Sequence, residues 1–257
     1  MAETDTRYRA PALEKGLDIL ELLSGVHTPL TSAEIADRLL RSKAELYRML
    51  HVLEGRGYVE KPDGSDGYVV TSKLLALGTE RRPVADLLDF ALPLMRELSD
   101  TARQSCHLAV RSGTELVVIA RAETPGAISY SVRVGYRRPF AETASGRVIY
   151  AHSSEPDRSR IEAALADNVP RNVLTEFQRQ SKAARDAGFW RGESAQVTGV
   201  NDLSAPIRDG RSCIAALTMP FIVRRKPVRS QDKVLADLRG VAKMISDALA
   251  AGSIGGL

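Results

Sequence analysis

Residues 31–68 read TSAEIADRLLRSKAELYRMLHVLEGRGYVEKPDGSDGY, and this stretch decides the fold. Two short apolar-periodic segments lie in tandem, each opened by the same device: Thr31-Ser32-Ala33-Glu34, then Ser42-Lys43-Ala44-Glu45. Both match the capping box, in which a hydroxyl accepts from the amide three residues on and the carboxylate there reaches back to the cap amide. Ile35, Ala36 and Leu39 follow the first box at helical spacing; Leu46, Leu50 and Leu53 follow the second. Only Leu40 and Arg41 separate the two patterns, which suits a helix-turn-helix, although the glycine usual in that turn is missing. After Gly55-Arg56-Gly57 the period drops to two. Tyr58–Lys61, the turn-rich Pro62–Gly67 and Tyr68–Val70 predict a hairpin. Helix, turn, helix, hairpin is a winged helix-turn-helix.

Two capped helices and a hairpin would also make a small α+β core with no partner. The outward face of the second helix separates the alternatives. Ser42, Lys43, Glu45, Tyr47 and Arg48 point away from the leucine seam, and they are the donors, acceptors and aromatic that reach base edges and phosphates in a major groove. With Ser32, Arg41 and, on the hairpin, Lys61, they are the candidate contacts to double-stranded DNA.

Charge tempers that expectation. The 257-residue chain is +4 overall, yet residues 1–80 hold ten Lys/Arg against thirteen Asp/Glu. Within Arg38–Lys61 the balance is six basic to three acidic. Non-specific affinity comes from phosphate neutralisation, so one copy should bind weakly and a dimer or larger oligomer is expected.

The rest of the chain bounds the class. A hydrophobic fraction of 44% is enough for real cores. No run approaches the roughly eighteen apolar residues of a membrane span, and the N-terminus has no signal-peptide core. Cys106 and Cys213 lie far apart, and the four histidines fall in no metal-binding spacing. A cytoplasmic protein with no metal and no cofactor is expected.

Residues 1–9 read as a flexible arm, and Pro11 to Leu23 as a first helix with Leu13, Leu17, Leu20 and either Leu23 or Ile19 on its stripe. Thr71-Ser72 caps a helix to about Glu80, a hinge falls at Arg81-Arg82-Pro83, and Pro83 opens the helix of a second domain. Beyond Ser105 short strands take over: Cys106–Val110 with Leu116–Ala120, then Ile128–Val132, and later Leu203–Ile207 with Cys213–Met219. Helices are expected over Thr143–His152, Asp157–Ala166, Thr175–Ala187 and Gln231–Ala250. Strands flanked by helices suggest an antiparallel α+β sensor domain.

No nucleophile elbow, phosphate-binding glycine fingerprint or metal cluster points to catalysis. Ser145 is a conceivable nucleophile, with His107 or His152 as base, but no spacing pairs them. Thr143-Ala144-Ser145-Gly146 reads better as a helix N-terminus, either simply capped or open to an anion. Arg133, Arg137 and Arg138, with Tyr136 and Phe140, lead into it. They would suit a small carboxylate, a solvated loop or an oligomer contact equally. Trp190 reads as a core edge or a pocket wall, and Cys213 as core.

PALEKGLDILELLSG, SAEIADRL, YRMLHVLEGRGYVEK and TSKLLALG, followed by TASGRVIYA and by GVNDLSAPIRD with CIAALTM, resemble the IclR family of bacterial transcription regulators over about Ala10 to Ala250. The resemblance implies an α+β chain: an N-terminal winged helix-turn-helix (residues 10–70), a linker helix and hinge (71–83) and a C-terminal GAF-like effector-binding domain (84–257). It implies a homodimer or a tetramer built as a dimer of dimers, repressing a catabolic operon in response to a small-molecule effector. The recognition helix would be Ser42–Leu53 and the wing Tyr58–Val70. The effector pocket would take Ala144, Ser145, Asp202 and Thr218, covered by Tyr130 and Arg138. Many members carry Cys where Asp202 stands. If it faces the pocket, a carboxylate there favours a neutral, amine-bearing or hydrazide-like ligand over a simple carboxylate, while the nearby arginines argue for an acid, so the ligand's charge stays open. The alternative is a small-molecule enzyme or binding protein whose N-terminal domain mediates assembly only.

Overall fold

The computed structural model of the chain describes residues 10–26, 28–79, 82–125, 129–223, 225 and 228–254. The chain forms two compact units, divided between Ala85 and Asp86.

The first unit is built on the two capping boxes. Helix α1 spans Pro11–Ser24, α2 Ser32–Arg38 and α3 Lys43–Gly55. Thr31 accepts from the Glu34 amide and Ser42 from the Glu45 amide, and both glutamates return the bond. Leu40 takes the place of the missing glycine, with φ at 53° and its side chain 92% exposed. The left-handed backbone costs an L-residue roughly 1–2 kcal/mol, so the turn is held by the helices on either side of it. Ile19, Leu20 and Leu23 of α1 pack against Ile35, Ala36, Leu46 and Leu50. The stripe on α1 is therefore narrower than the sequence suggests: Leu13 and Leu17 stay exposed, because α2 and α3 cover only its second half. Strands β1 (Val59–Glu60) and β2 (Val69–Val70) pair antiparallel as the wing. A bridge between Leu30 and Tyr68 fastens the wing to the approach to α2. Helix α4 covers Lys73–Thr79.

Helix α5 runs from Arg82 to Ala102, so it begins before Pro83 rather than at it. The expected hinge falls partly on Arg81, outside the described residues, as does the arm at 1–9. The second unit is organised by a six-stranded antiparallel sheet in the order β5-β4-β3-β8-β7-β6. Its strands are β3 (Cys106–Ser112), β4 (Glu115–Ala122), β5 (Arg137–Pro139), β6 (Trp190–Glu193), β7 (Val200–Arg208) and β8 (Cys213–Ile222). On one face, α5 and α9 (Gln231–Ile254) bury Leu87, Met95, Val234 and Leu238 against Leu203, Leu217 and Met219. On the other, α6 (Ala144–His152), α7 (Glu155–Ala166) and α8 (Arg171–Ala187) bury Val148, Ile161 and Phe177 against Ala109, Val118 and Ala216.

Three sequence expectations need correction. Ser129–Val132 forms no strand, and Ile128 lies outside the described residues. The open edge of β4 pairs instead with Arg137–Pro139, preceded by bonds between Val118 and residues 135–136. This frees Tyr130 and Val132 to face a cavity. Helix α8 starts at Arg171, one turn before the expected Thr175. Trp190–Glu193 is a strand that its polar, glycine-containing sequence hid, held at the sheet edge by pairing with Asn201–Ser204.

One irregularity decides which side chains reach that cavity. The β3–β4 register shifts so that Leu108 faces Ala120 while Ala109 faces Val118, leaving Ile119 as a bulge. A bulge re-aims the residues on either side. Leu116 and Val118 join the core beside α6, whereas Ala120 and Ala122 join the core beside α9.

Candidate functional site

The exposed face of α3 is the first candidate. Of the eight residues expected to meet DNA, several carry structural duties. Glu45 closes its capping box and takes an ion pair from Lys15 at 2.7 Å, which holds its carboxyl below the usual range. Ser42 is the cap itself, and Arg41 pairs with Asp18 at 3.2 Å. Ser32 is half-buried in the first turn of α2. Lys61 lies over the Tyr68 ring at 4.9 Å. Lys43 and Arg48 are exposed and have no ion-pair partner among the described residues. Tyr47, 69% exposed, stacks on His51. Lys43, Tyr47 and Arg48 thus form one solvent-facing strip on a helix whose start is anchored to α1 through Lys15 and Asp18.

The second candidate is a cavity of about 580 Å³ beside the start of α6. It brings together all six residues expected at an effector site: Tyr130, Arg138, Ala144, Ser145, Asp202 and Thr218. Leu116, Val118, Val132 and Tyr136 supply apolar wall. Thr143 caps α6 by accepting from the Gly146 amide at 2.9 Å, and its carbonyl takes the Arg147 amide. The amides of Ala144 and Ser145 have no acceptor among the described residues, as expected of a helix's first turn. Gly146 is required here: a Cβ would sit 2.0 Å from the Phe140 carbonyl oxygen, because the 3-10 turn Phe140–Glu142 folds against the helix start.

Behind the helix start, hydroxyls form a buried chain. Ser145 meets Thr218 at 2.8 Å, and Thr218 meets Ser204 at 2.7 Å. His107, paired with Thr218 across the sheet, borders the cavity with its Nδ1 unpartnered. Burial pushes its pKa down to about 4, so it is neutral at pH 7. Neither His107 nor His152 bonds to Ser145; His152 Nδ1 lies 2.8 Å from Arg208. The serine therefore has no base in contact among the described residues.

Asp202 does face the cavity. Burial raises its pKa, opposed by the Ser194 hydroxyl and by Arg147. It makes no ion pair among the described residues, since Arg147 instead lies over the Trp190 ring at 4.8 Å. Trp190 is absent from the cavity wall and closes the core edge beside α8. The approach arginines are mostly spent. Arg137 pairs with Glu115 at 2.7 Å, and Arg138 binds Glu142 at 2.9 Å and Gln196 at 2.6 Å, tying β5 to the loop after β6. Arg133 stands exposed at the rim. Sequence reasoning missed Ser204, Gln196 and the pocket role of His107. Ser204 alone had a signal, a hydroxyl between Leu203 and Ala205 in an otherwise apolar strand.

Comparison with known proteins places both candidates in one context. Residues 83–247 match the family described as bacterial transcriptional regulator IclR C-terminal, and residues 12–63 match the IclR helix-turn-helix domain. The chain is 27% identical to the HTH-type transcriptional regulator KdgR of Dickeya chrysanthemi, covering 96% of this chain and 83% of that protein. It is 26% identical to the glycerol operon regulatory protein of Streptomyces coelicolor, over 94% and 97% of the two chains. Its fold matches an IclR homolog from Microbacterium hydrocarbonoxydans complexed with 4-hydroxybenzoate, with a TM-score of 0.78, 22% identity and coverage of 93% and 99%.

Proposed function

The chain belongs to the IclR family of bacterial transcription regulators, and from that premise we propose that α3 reads operator DNA while the cavity beside α6 binds a small metabolite that alters operator affinity. The observation that carries the DNA half is the strip Lys43, Tyr47 and Arg48, exposed on a doubly capped helix beside a wing. Lys43 and Arg48 neutralise phosphates or reach base edges, Tyr47 adds contact area, and Lys61 extends the footprint from the wing. Ser32, Arg41, Ser42 and Glu45 shape the surface, with Arg41 and Glu45 fixing the pose of α3 through their ion pairs.

The effector site comprises Tyr130, Arg138, Ala144, Ser145, Asp202 and Thr218. Its support is the cavity, the open amides that line it and the apolar wall. Ser145 serves this site by engaging the Thr218 hydroxyl behind the helix start. The domains act as residues 10–70 for DNA and 84–257 for the effector, with 71–83 carrying the coupling. By linkage, an effector that favours one spacing of paired DNA-binding units changes operator affinity by the same factor that DNA changes effector affinity.

A symmetric homodimer or dimer of dimers supplies the charge that one copy lacks. Leu13 and Leu17 on α1, and Leu74 and Leu77 on α4, are exposed apolar residues of the first unit that support assembly. The regulator works in the cytoplasm, where its DNA is; no helix among the described residues is long and apolar enough to cross a membrane. A repressor of a catabolic operon fits the relatives named for a glycerol operon.

Fluorescence anisotropy with the DNA upstream of its own gene tests the DNA half. Lys43→Ala and Arg48→Ala should each weaken binding and lower the salt slope by about 1. Wild-type affinity in both folded variants would remove α3 from the groove.

A further inference from the structure

The cavity's polar groups divide into two ends of opposite character. At one end are donors: the open amides of Ala144 and Ser145, on a nine-residue helix, and the Ser145 hydroxyl. Helix N-termini of this kind favour negative charge. His107 lies against the same end, 94% buried by a relative exposure of 6%, with its Nδ1 unpartnered. A buried polar atom without a protein partner is costly, which favours a ligand that reaches it.

At the other end is Asp202. It sits two residues from Ser204 on the same face of β7, so its Cα stands on the order of 7 Å along the strand from that of Ser204 at strand rise. Its carboxylate has the Ser194 hydroxyl nearby and no cation within ion-pair distance among the described residues. Arg147 acts on it only from a distance, lying over the Trp190 ring, and the other charged groups at the cavity do not pair with it. Arg138 and Glu142 neutralise each other, and Arg133 is solvent-exposed at the rim. A partly buried carboxylate without a cation calls for one.

We infer that the cavity selects a small zwitterion, with a protonated nitrogen on Asp202 and a carboxylate on the amides of Ala144 and Ser145. This rests on the cavity being the effector site. The nitrogen supplies the cation that Asp202 lacks, and the carboxylate takes the donors that the protein leaves open. A short ω-amino acid spans the two ends, and Leu116, Val118 and Tyr136 contact its methylenes. A plain carboxylic acid satisfies the helix end and leaves Asp202 bare, while a plain amine does the reverse.

Calorimetric titration of the full-length protein with four matched probes tests this: δ-aminovalerate, δ-hydroxyvalerate, valerate and n-pentylamine. Wild type should bind δ-aminovalerate at least tenfold more tightly than the other three. Asp202→Asn, nearly isosteric and relieved of a buried charge, should fold and lose that preference while keeping its affinity for valerate. Equal or tighter binding of valerate or δ-hydroxyvalerate overturns the proposal, as does a preference that survives in Asp202→Asn, or no binding of any probe. A metabolite library screened against wild type and Ala195→Trp, an exposed loop position at the cavity mouth, separates the two levels of failure. Compounds that lose binding in Ala195→Trp but carry no cationic nitrogen overturn the zwitterion and leave the effector site standing. If no compound's binding responds to Ala195→Trp, both fall.

Discussion

Replacing Gly146 by alanine puts a methyl group where the fold has no room for one. A Cβ there lies 2.0 Å from the Phe140 carbonyl oxygen, 3.0 Å from its carbon and 2.8 Å from Thr143 Oγ1. An ordinary carbon–oxygen contact is about 3.3 Å or longer, so the helix and the 3-10 turn must part by roughly 1.3 Å. Two of the obstructing atoms are backbone, so no rotamer change relieves the clash. Parting them breaks the Thr143 cap on the Gly146 amide, at about 1 kcal/mol. It also disturbs the buried Ser145–Thr218 bond, at about 1 kcal/mol more. Overpacking strain adds roughly 1–3 kcal/mol, and the better helix propensity of alanine returns up to about 1 kcal/mol. The net loss is about 3 kcal/mol. For a unit of this size that lowers Tm by roughly 6–12 °C. Trp190 is the chain's one tryptophan and belongs to the second unit, so its fluorescence during urea or thermal unfolding reports on that unit. Gly240→Ala is the matched control: it is exposed in α9 with nothing within 4 Å of the added Cβ. It should gain about 0.5–1 kcal/mol in the same assay. A Gly146→Ala midpoint at or above that of wild type would refute the close-approach argument.

Other outcomes follow from the same geometry. Leu40→Gly should stabilise the first unit by about 0.5–1 kcal/mol, since it relieves a left-handed φ of 53° but loosens the unfolded chain; a far-UV melt checks it, and destabilisation would mean the turn carries no strain. His107 binds its proton in the folded state only near pH 4, against an ordinary 6.5. The unfolded chain therefore takes that proton first, and stability is intact above about pH 6.5 and lost toward pH 4, by on the order of 3 kcal/mol. His107→Leu should flatten this acid slope in urea titrations, leaving the part that His152, also held at about 4, contributes. Glu45 is lowered by Lys15 and by the Ser42 amide, so its contribution is present at neutral pH and lost as pH falls through its depressed range. Glu45→Gln should therefore differ from wild type in unfolding midpoint at pH 7 and converge on it as pH falls through that range. Leu13→Glu with Leu17→Glu should reduce the sedimentation-derived mass of the assembly and weaken operator binding in parallel, with the circular dichroism unchanged.

The DNA-binding unit was largely legible because its signals are local. A hydroxyl and a carboxylate three residues apart make a capping box wherever the chain becomes helical, and Thr31/Glu34 and Ser42/Glu45 do so. The division of labour on α3 was not legible. Glu45 and Arg41 look like free groove residues until α1 brings Lys15 and Asp18 beside them. In the second unit, the periodic helices were readable and the short edge strands were not. Arg137–Pro139 and Trp190–Glu193 are strands because open sheet edges accept them, not because of their composition.

By itself, then, the sequence determined the elements whose cause lies within a few residues: the capped helices, the wing and the amphipathic α5 and α9. It also carried, through motif resemblance, the six residues that meet at the cavity. Only the tertiary structure decided what that cavity is. Its wall is drawn from residues as distant as His107 and Pro220, and the bulge at Ile119 sends Val118 toward α6 and Ala120 toward α9. Whether Asp202 meets a cation depends on Arg147 turning to Trp190, and whether Arg138 is free depends on Glu142 and Gln196. These are matters of strand register and of competition among partners far apart in the chain, and no local spacing encodes them.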